Sequence, residues 1–166
     1  MRTKIQNKTA SAEIESLGAQ LMSLKNAEGT EYLWQGNPAF WSSRAPVLFP
    51  TVGNVRGGTT IINGKPYALK RHGFARNLEH SVLDSGANFI AYSLKDSEET
   101  RKLYPFVFEL RVTYRLIENG LTTEFAVFNR GDEELPFGIG GHPGFRCPLV
   151  PGERFEDYRI LFEKEE

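Results

Sequence analysis

The chain has 166 residues, 40% of them hydrophobic and 25% charged, a globular composition that excludes a disordered tail or a fibre. Twenty Lys and Arg against 21 Asp and Glu leave a net charge of −1, which excludes a general binder of the nucleic-acid backbone. No apolar run approaches the roughly 20 residues that span a bilayer, so no membrane partner is expected. Residues 1–8, Met1 to Lys8, lack the apolar stretch of a secretory signal, and Cys147 is the only cysteine. A cytoplasmic protein is expected.

The predicted elements are strands. Thr9 to Ile14 and Gln20 to Leu24 read as a pair joined near Leu17-Gly18-Ala19. Pro38-Ala39-Phe40-Trp41 reads as a turn; helical periodicity is otherwise nearly absent. Thr60-Ile61-Ile62 and Tyr67-Ala68-Leu69 flank Asn63-Gly64, a hairpin signal. His80 to Leu83 and Asn88 to Leu94 flank Asp84-Ser85-Gly86 in the same way. The clearest pattern follows: Phe106, Phe108, Leu110, Val112, Tyr114 and Leu116 are apolar at strict period two. Asn119-Gly120 is expected to turn the chain through positive φ before Leu121, Thr123, Phe125 and Val127 alternate again. Arg159 to Phe162 reads as a last strand. Short strands separated by Gly, Asn and Asp turns predict an all-β fold, a sandwich or barrel, in one domain over residues 1–166.

Three segments differ from strand-and-turn filler. The first, Ala45 to Gly58, sets Arg56 among glycines after an apolar stretch bracketed by Pro46 and Pro50. An Arg fork can hold a ligand oxygen, though a plain surface Arg reads equally well there. The second is Arg71-His72-Gly73-Phe74-Ala75-Arg76. Its flanking cations favour a neutral His72, Phe74 offers an apolar platform, and Arg76 offers a charged contact. The third, Phe137 to Phe145, surrounds His142 with Gly138, Gly140, Gly141, Pro143 and Gly144. So much Gly and Pro implies an unusual backbone path, and His142 is the best single candidate for an acid or base.

Other chemistries are absent from the sequence: no CxxC, HExxH, phosphate-loop or Gly-x-Ser-x-Gly motif occurs, and no metal or cofactor is expected. His80 reads as a plain structural residue and Cys147 as a packed thiol. Trp34, Phe40 and Trp41 suit either a core or a sugar-stacking surface. Glu109 and Glu124 lie on hairpin strands with no motif to recommend them.

In this order the segments resemble the aldose 1-epimerase (galactose mutarotase-like) family, in its mutarotase-related branch. The stretches that carry the resemblance are Gly18-Ala19-Gln20-Leu21-Met22-Ser23-Leu24, Glu31-Tyr32-Leu33-Trp34-Gln35-Gly36, Pro46-Val47-Leu48-Phe49-Pro50 with Val52-Gly53, His72-Gly73-Phe74-Ala75-Arg76, and Gly141-His142-Pro143-Gly144-Phe145. The resemblance implies a sandwich of large antiparallel sheets with a sugar cleft, incomplete here at its C-terminal side. It implies interconversion of sugar anomers, free or phosphorylated, by an acid and a base that open the ring. His142 matches the general acid, His72 the second, sugar-binding histidine, and Arg56 and Arg76 match ligand contacts. The family's catalytic glutamate lies late in the chain, beyond Glu166. A non-catalytic sugar-binding remnant is therefore the alternative, and Glu163, Glu165 and Glu166 read as a solvated end. Open sheet edges predict a homo-oligomer.

Overall fold

The computed structural model describes residues 1–164. Strands β1 (Arg2–Gln6), β2 (Ala10–Glu15) and β3 (Gln20–Asn26) form an antiparallel sheet in that order. Only Ile5 of β1 is fully buried, among polar neighbours, so its alternation is too faint to read from sequence. After the two-residue strand β4 (Val47–Leu48), the predicted hairpin forms from β5 (Thr59–Ile62) and β6 (Lys65–Ala68). Asn63 and Gly64 turn it with φ of 48° and 75°, the left-handed pair that a tight hairpin demands.

Strands β7 (Ser81–Ser85), β8 (Phe89–Lys95), β9 (Phe108–Ile117) and β10 (Gly120–Asn129) build a second antiparallel sheet, ordered β10-β9-β8-β7. The inward side chains of β8 and β9, Ile90, Tyr92, Leu110, Val112, Tyr114 and Leu116, meet Ile5, Ala12, Ile14 and Leu21 of the first sheet in one apolar core. Full burial of such a side chain stabilises by about 1.5–3 kcal/mol, so this face explains why the alternation from Phe106 onward is so clean. The Tyr114 hydroxyl donates to the Ala19 carbonyl at 2.9 Å and ties the layers.

The structure corrects several expectations. At the second Asn-Gly the turn residues are Glu118 and Asn119, with Gly120 already paired to Ile117, and neither Asn119 nor Gly120 has positive φ. A short helix, α1 (Glu98–Leu103), forms where no helical period was visible. One turn and a half is too short to show a period; its signal is the reciprocal cap between Ser97 and Thr100, with acids in the first turn and bases in the last. Arg159 to Phe162 is not a strand: Ile160, Leu161 and Phe162 are exposed and pair with no strand among the described residues. Alternation makes a strand only where a partner edge and a core await it. Glu165 and Glu166 lie outside the described residues. Among the described residues, no helix is long and apolar enough to cross a membrane.

Candidate active site

The stretch Val47 to Pro50 is a buried spine with chain docked on both sides. On one side Phe49 bridges Gly73, and its carbonyl accepts the amides of Phe74 at 3.0 Å and Ala75 at 3.2 Å. A Cβ at position 73 would stand 2.1 Å from that carbonyl oxygen, and Gly73 has φ of 69°, so only glycine permits this approach. On the other side the last two-residue strand, β11 (Gly140–Gly141), pairs Gly140 with Leu48 and Gly141 with Val47. Amides of Gly138, His142 and Gly144 continue that lacing to carbonyls of Pro50, Pro46 and Arg44. The glycine-rich run is thus an irregular strand inserted beside the spine, which is the unusual path its composition implied.

This double docking brings the histidines together, their ring centres 5.8 Å apart. His72 is half-buried and, at φ of 67°, occupies a backbone region that non-glycine residues seldom adopt. Its amide donates to the Gly53 carbonyl at 2.8 Å, and the Gly53 amide donates back to its Nδ1 at 3.0 Å. The Nε atom of Arg71 lies 3.1 Å from its Nε2. Desolvation first, then the charges of Arg71, Arg76 and His142, push the His72 pKa down. His142 is exposed, with its ring edge-on to Trp41 at 5.2 Å. The Trp34 indole donates to the Trp41 carbonyl at 2.7 Å, and Gly144 fits closely against the Trp41 ring and the Trp34 Cβ.

The remaining expected residues divide. Arg76 sits in the tight turn after Phe74, where its charge acts on His72. Arg56 is exposed in a separate turn and is not among the charges acting on that ring. A hollow of about 470 Å³ runs from Gly57 and Gly58 of this turn to Lys70 and Arg71. Phe74 offers no platform: it is 8% exposed and packs on Phe49, Tyr104 and Phe108, because the chain that docks on Phe49 turns this ring inward. Cys147 is exposed rather than packed, on the rim of an apolar hollow with Trp34, Phe145 and Phe155. Sequence reasoning read Arg71 as a flanking cation and missed its contact with the ring, along with the contacts of Gly53 and Trp41, which depend on tertiary approach alone.

No hydrogen bond or ion pair links either histidine to a carboxylate among the described residues, and no three metal-binding side chains converge there. Glu109 is buried, but it accepts from Ser93, Arg111 and Arg130, and the two guanidiniums hold its carboxyl down to about 2. A carboxylate held so firmly in its charged form is a poor proton acceptor. Glu124 and Glu163 are exposed. The site therefore brings together an exposed imidazole, a constrained second imidazole and the guanidiniums of Arg71 and Arg76.

Comparison with known proteins defines the class. Residues 1–166 match the aldose 1-epimerase family along their whole length, and the chain belongs to that family. It is 38% identical to the chromosomal LacX protein of Lactococcus lactis over 172 residues, covering all of this chain and 58% of that protein. The galactose mutarotase related enzyme of Lactobacillus acidophilus is similar in structure, with a TM-score of 0.92 and 46% identity over 95% of this chain and 53% of that one. A galactose mutarotase-like protein of Lactobacillus casei follows at 0.87 and 35%, over 91% of this chain and 52% of its own. The fold is accordingly that of the galactose mutarotase-like sandwich, and the chain spans somewhat over half the length of these relatives.

Proposed function

We propose that this chain supplies the acid side of an aldose 1-epimerase site, which interconverts sugar anomers through the open-chain aldehyde. The observation that carries the reading is the His72–His142 pair, joined at the Phe49 spine within a chain of this family. In the reaction His142 gives a proton to the ring oxygen, while a carboxylate takes the proton of the anomeric hydroxyl. The C1–O5 bond breaks, C1 becomes a carbonyl, rotation about C1–C2 presents its other face, and closure returns both protons. An imidazole suits this reversible transfer because its ordinary pKa, about 6.5, lies near neutral pH. His72 and Arg76 hold sugar oxygens, and the Arg76 guanidinium extends the choice to hexose phosphates. Arg56 contributes only if its turn closes over the ligand.

No described carboxylate is bonded to either histidine, so in this reading the base is a carboxylate of this chain that reaches the sugar only when it is bound, or one supplied by another chain. In the alternative reading the chain binds sugar without turning it over. Open edges at β7 and β10 favour association in either case, and a monomer by light scattering would end that expectation. Proton NMR of freshly dissolved α-glucose and α-galactose separates the readings. Exchange faster than buffer alone, lost in His142→Asn, supports the enzyme; shifted sugar signals without faster exchange support the binding remnant. Full turnover in His142→Asn would refute His142 as the acid.

A further inference from the structure

The surroundings of His72 contain a contradiction in hydrogen-bond bookkeeping. A neutral imidazole has one N–H and one lone pair, yet a donor faces each of its nitrogens: the Gly53 amide at Nδ1, 3.0 Å away, and Arg71 Nε at Nε2, 3.1 Å away. Both cannot be accepted. The Gly53 contact belongs to a reciprocal backbone pair, with the His72 amide on the Gly53 carbonyl at 2.8 Å. It is anchored by Gly73, whose position against Phe49 admits no Cβ. Arg71 is an exposed, flexible side chain that makes no ion pair with a described carboxylate. The rigid contact holds and the flexible one yields.

We propose that His72 works as the neutral Nε2–H tautomer, a fixed hydrogen-bond donor, and that Arg71 is an arm whose N–H faces that donor without bonding to it and which swings aside for an incoming ligand oxygen. The inference rests on the sugar-site reading and divides its labour: His142 moves protons, while His72 only gives a hydrogen bond. The charged and titratable groups acting on the ring are Arg71 on its own turn, Arg76 on the following turn and His142 on the inserted strand. Each cation opposes a second proton on His72, and protonating Nδ1 would also turn the Gly53 contact into donor against donor. The assignment makes Arg71 a gatekeeper of the donor rather than a required ligand contact.

The test is a long-range proton–nitrogen correlation spectrum of the imidazoles in the uniformly labelled chain, with His72 assigned through His72→Gln. The expected result is a proton on Nε2, a bare Nδ1, and a ring still neutral at about pH 6.5, where free histidine is half protonated. An Nδ1–H tautomer, or a doubly protonated ring at that pH, overturns the inference whatever the chain does to sugars. Glucose or galactose should then shift the His72 Nε2–H and Arg71 Nε–H resonances together. Arg71→Gln should bind the same sugar within about twofold of the unmodified chain or more tightly, since no arm is left to move. A loss of about tenfold or more would make Arg71 a ligand contact and refute the displacement. The expected tautomer with no response to either sugar would sink the arm and the sugar-site reading together, leaving the tautomer assignment intact.

Discussion

The two histidine loops are built on opposite plans. His72 sits in a strained turn with its backbone clamped by Gly53, its ring fixed at Nδ1 and the next residue locked against Phe49. His142 rides on a laced but exposed strand, with its ring edge-on to Trp41. The fixed ring can aim only its Nε2, whereas the exposed ring is open to solvent. In the proposed site, the backbone beneath two chemically identical side chains would assign them different duties.

The largest effect that would break this contrast comes from Gly73→Ala. Its Cβ would meet the Phe49 carbonyl, at a φ that side chains rarely adopt, so at least about 3 kcal/mol of stability should be lost in urea unfolding. A near-neutral result would show that the turn can shift, and the rigidity attributed to His72 would fail. Gly144→Ala probes the other loop more gently. Its Cβ would lie 2.8 Å from the Trp41 ring and 3.1 Å from the Trp34 Cβ, and overpacking of this kind costs about 1–3 kcal/mol. The His142 resonances should move while those of His72 stay in place. Shifts at both rings would mean that the loops are mechanically one.

The smallest effect is a pH dependence. His72 and the buried His80 both have pKa values lowered below 6.5, chiefly by desolvation. The unfolded chain therefore takes up protons first on acidification. Their contribution to stability is complete above about pH 6.5 and declines as pH falls through the lowered native values. Urea midpoints at pH 7.5 and 5.5 should show the decline, and His80→Gln should reduce it. A flat profile in the unmodified chain would contradict the lowered values.

Much of the fold was legible because its information is local. The β5–β6 turn and the β9 alternation are written in consecutive residues and make the fold all-β, while the choice of a sandwich over a barrel came with the family resemblance. The His72 and His142 segments stood out through their glycines, which mark where backbone must approach backbone. What sequence could not show was direction: Phe74 belonged equally to a ligand platform or a core until the docking on Phe49 turned it inward. Cys147 failed for a related reason, since an isolated thiol carries no signal of which way it faces. The run from Ile160 to Phe162 has the residues of a strand, but no edge among the described residues receives it.

The Phe49 spine also bears on how the chain assembles. The neighbouring hairpins close over short loops, whereas the histidine pair requires three segments distant in sequence to converge on a single carbonyl and the residues beside it. Closing such loops costs more chain entropy and comes back only when every partner has arrived. The site is thereby a report on the completeness of the fold: a chain that has formed its hairpins but not gathered this junction has most of its secondary structure and no histidine pair.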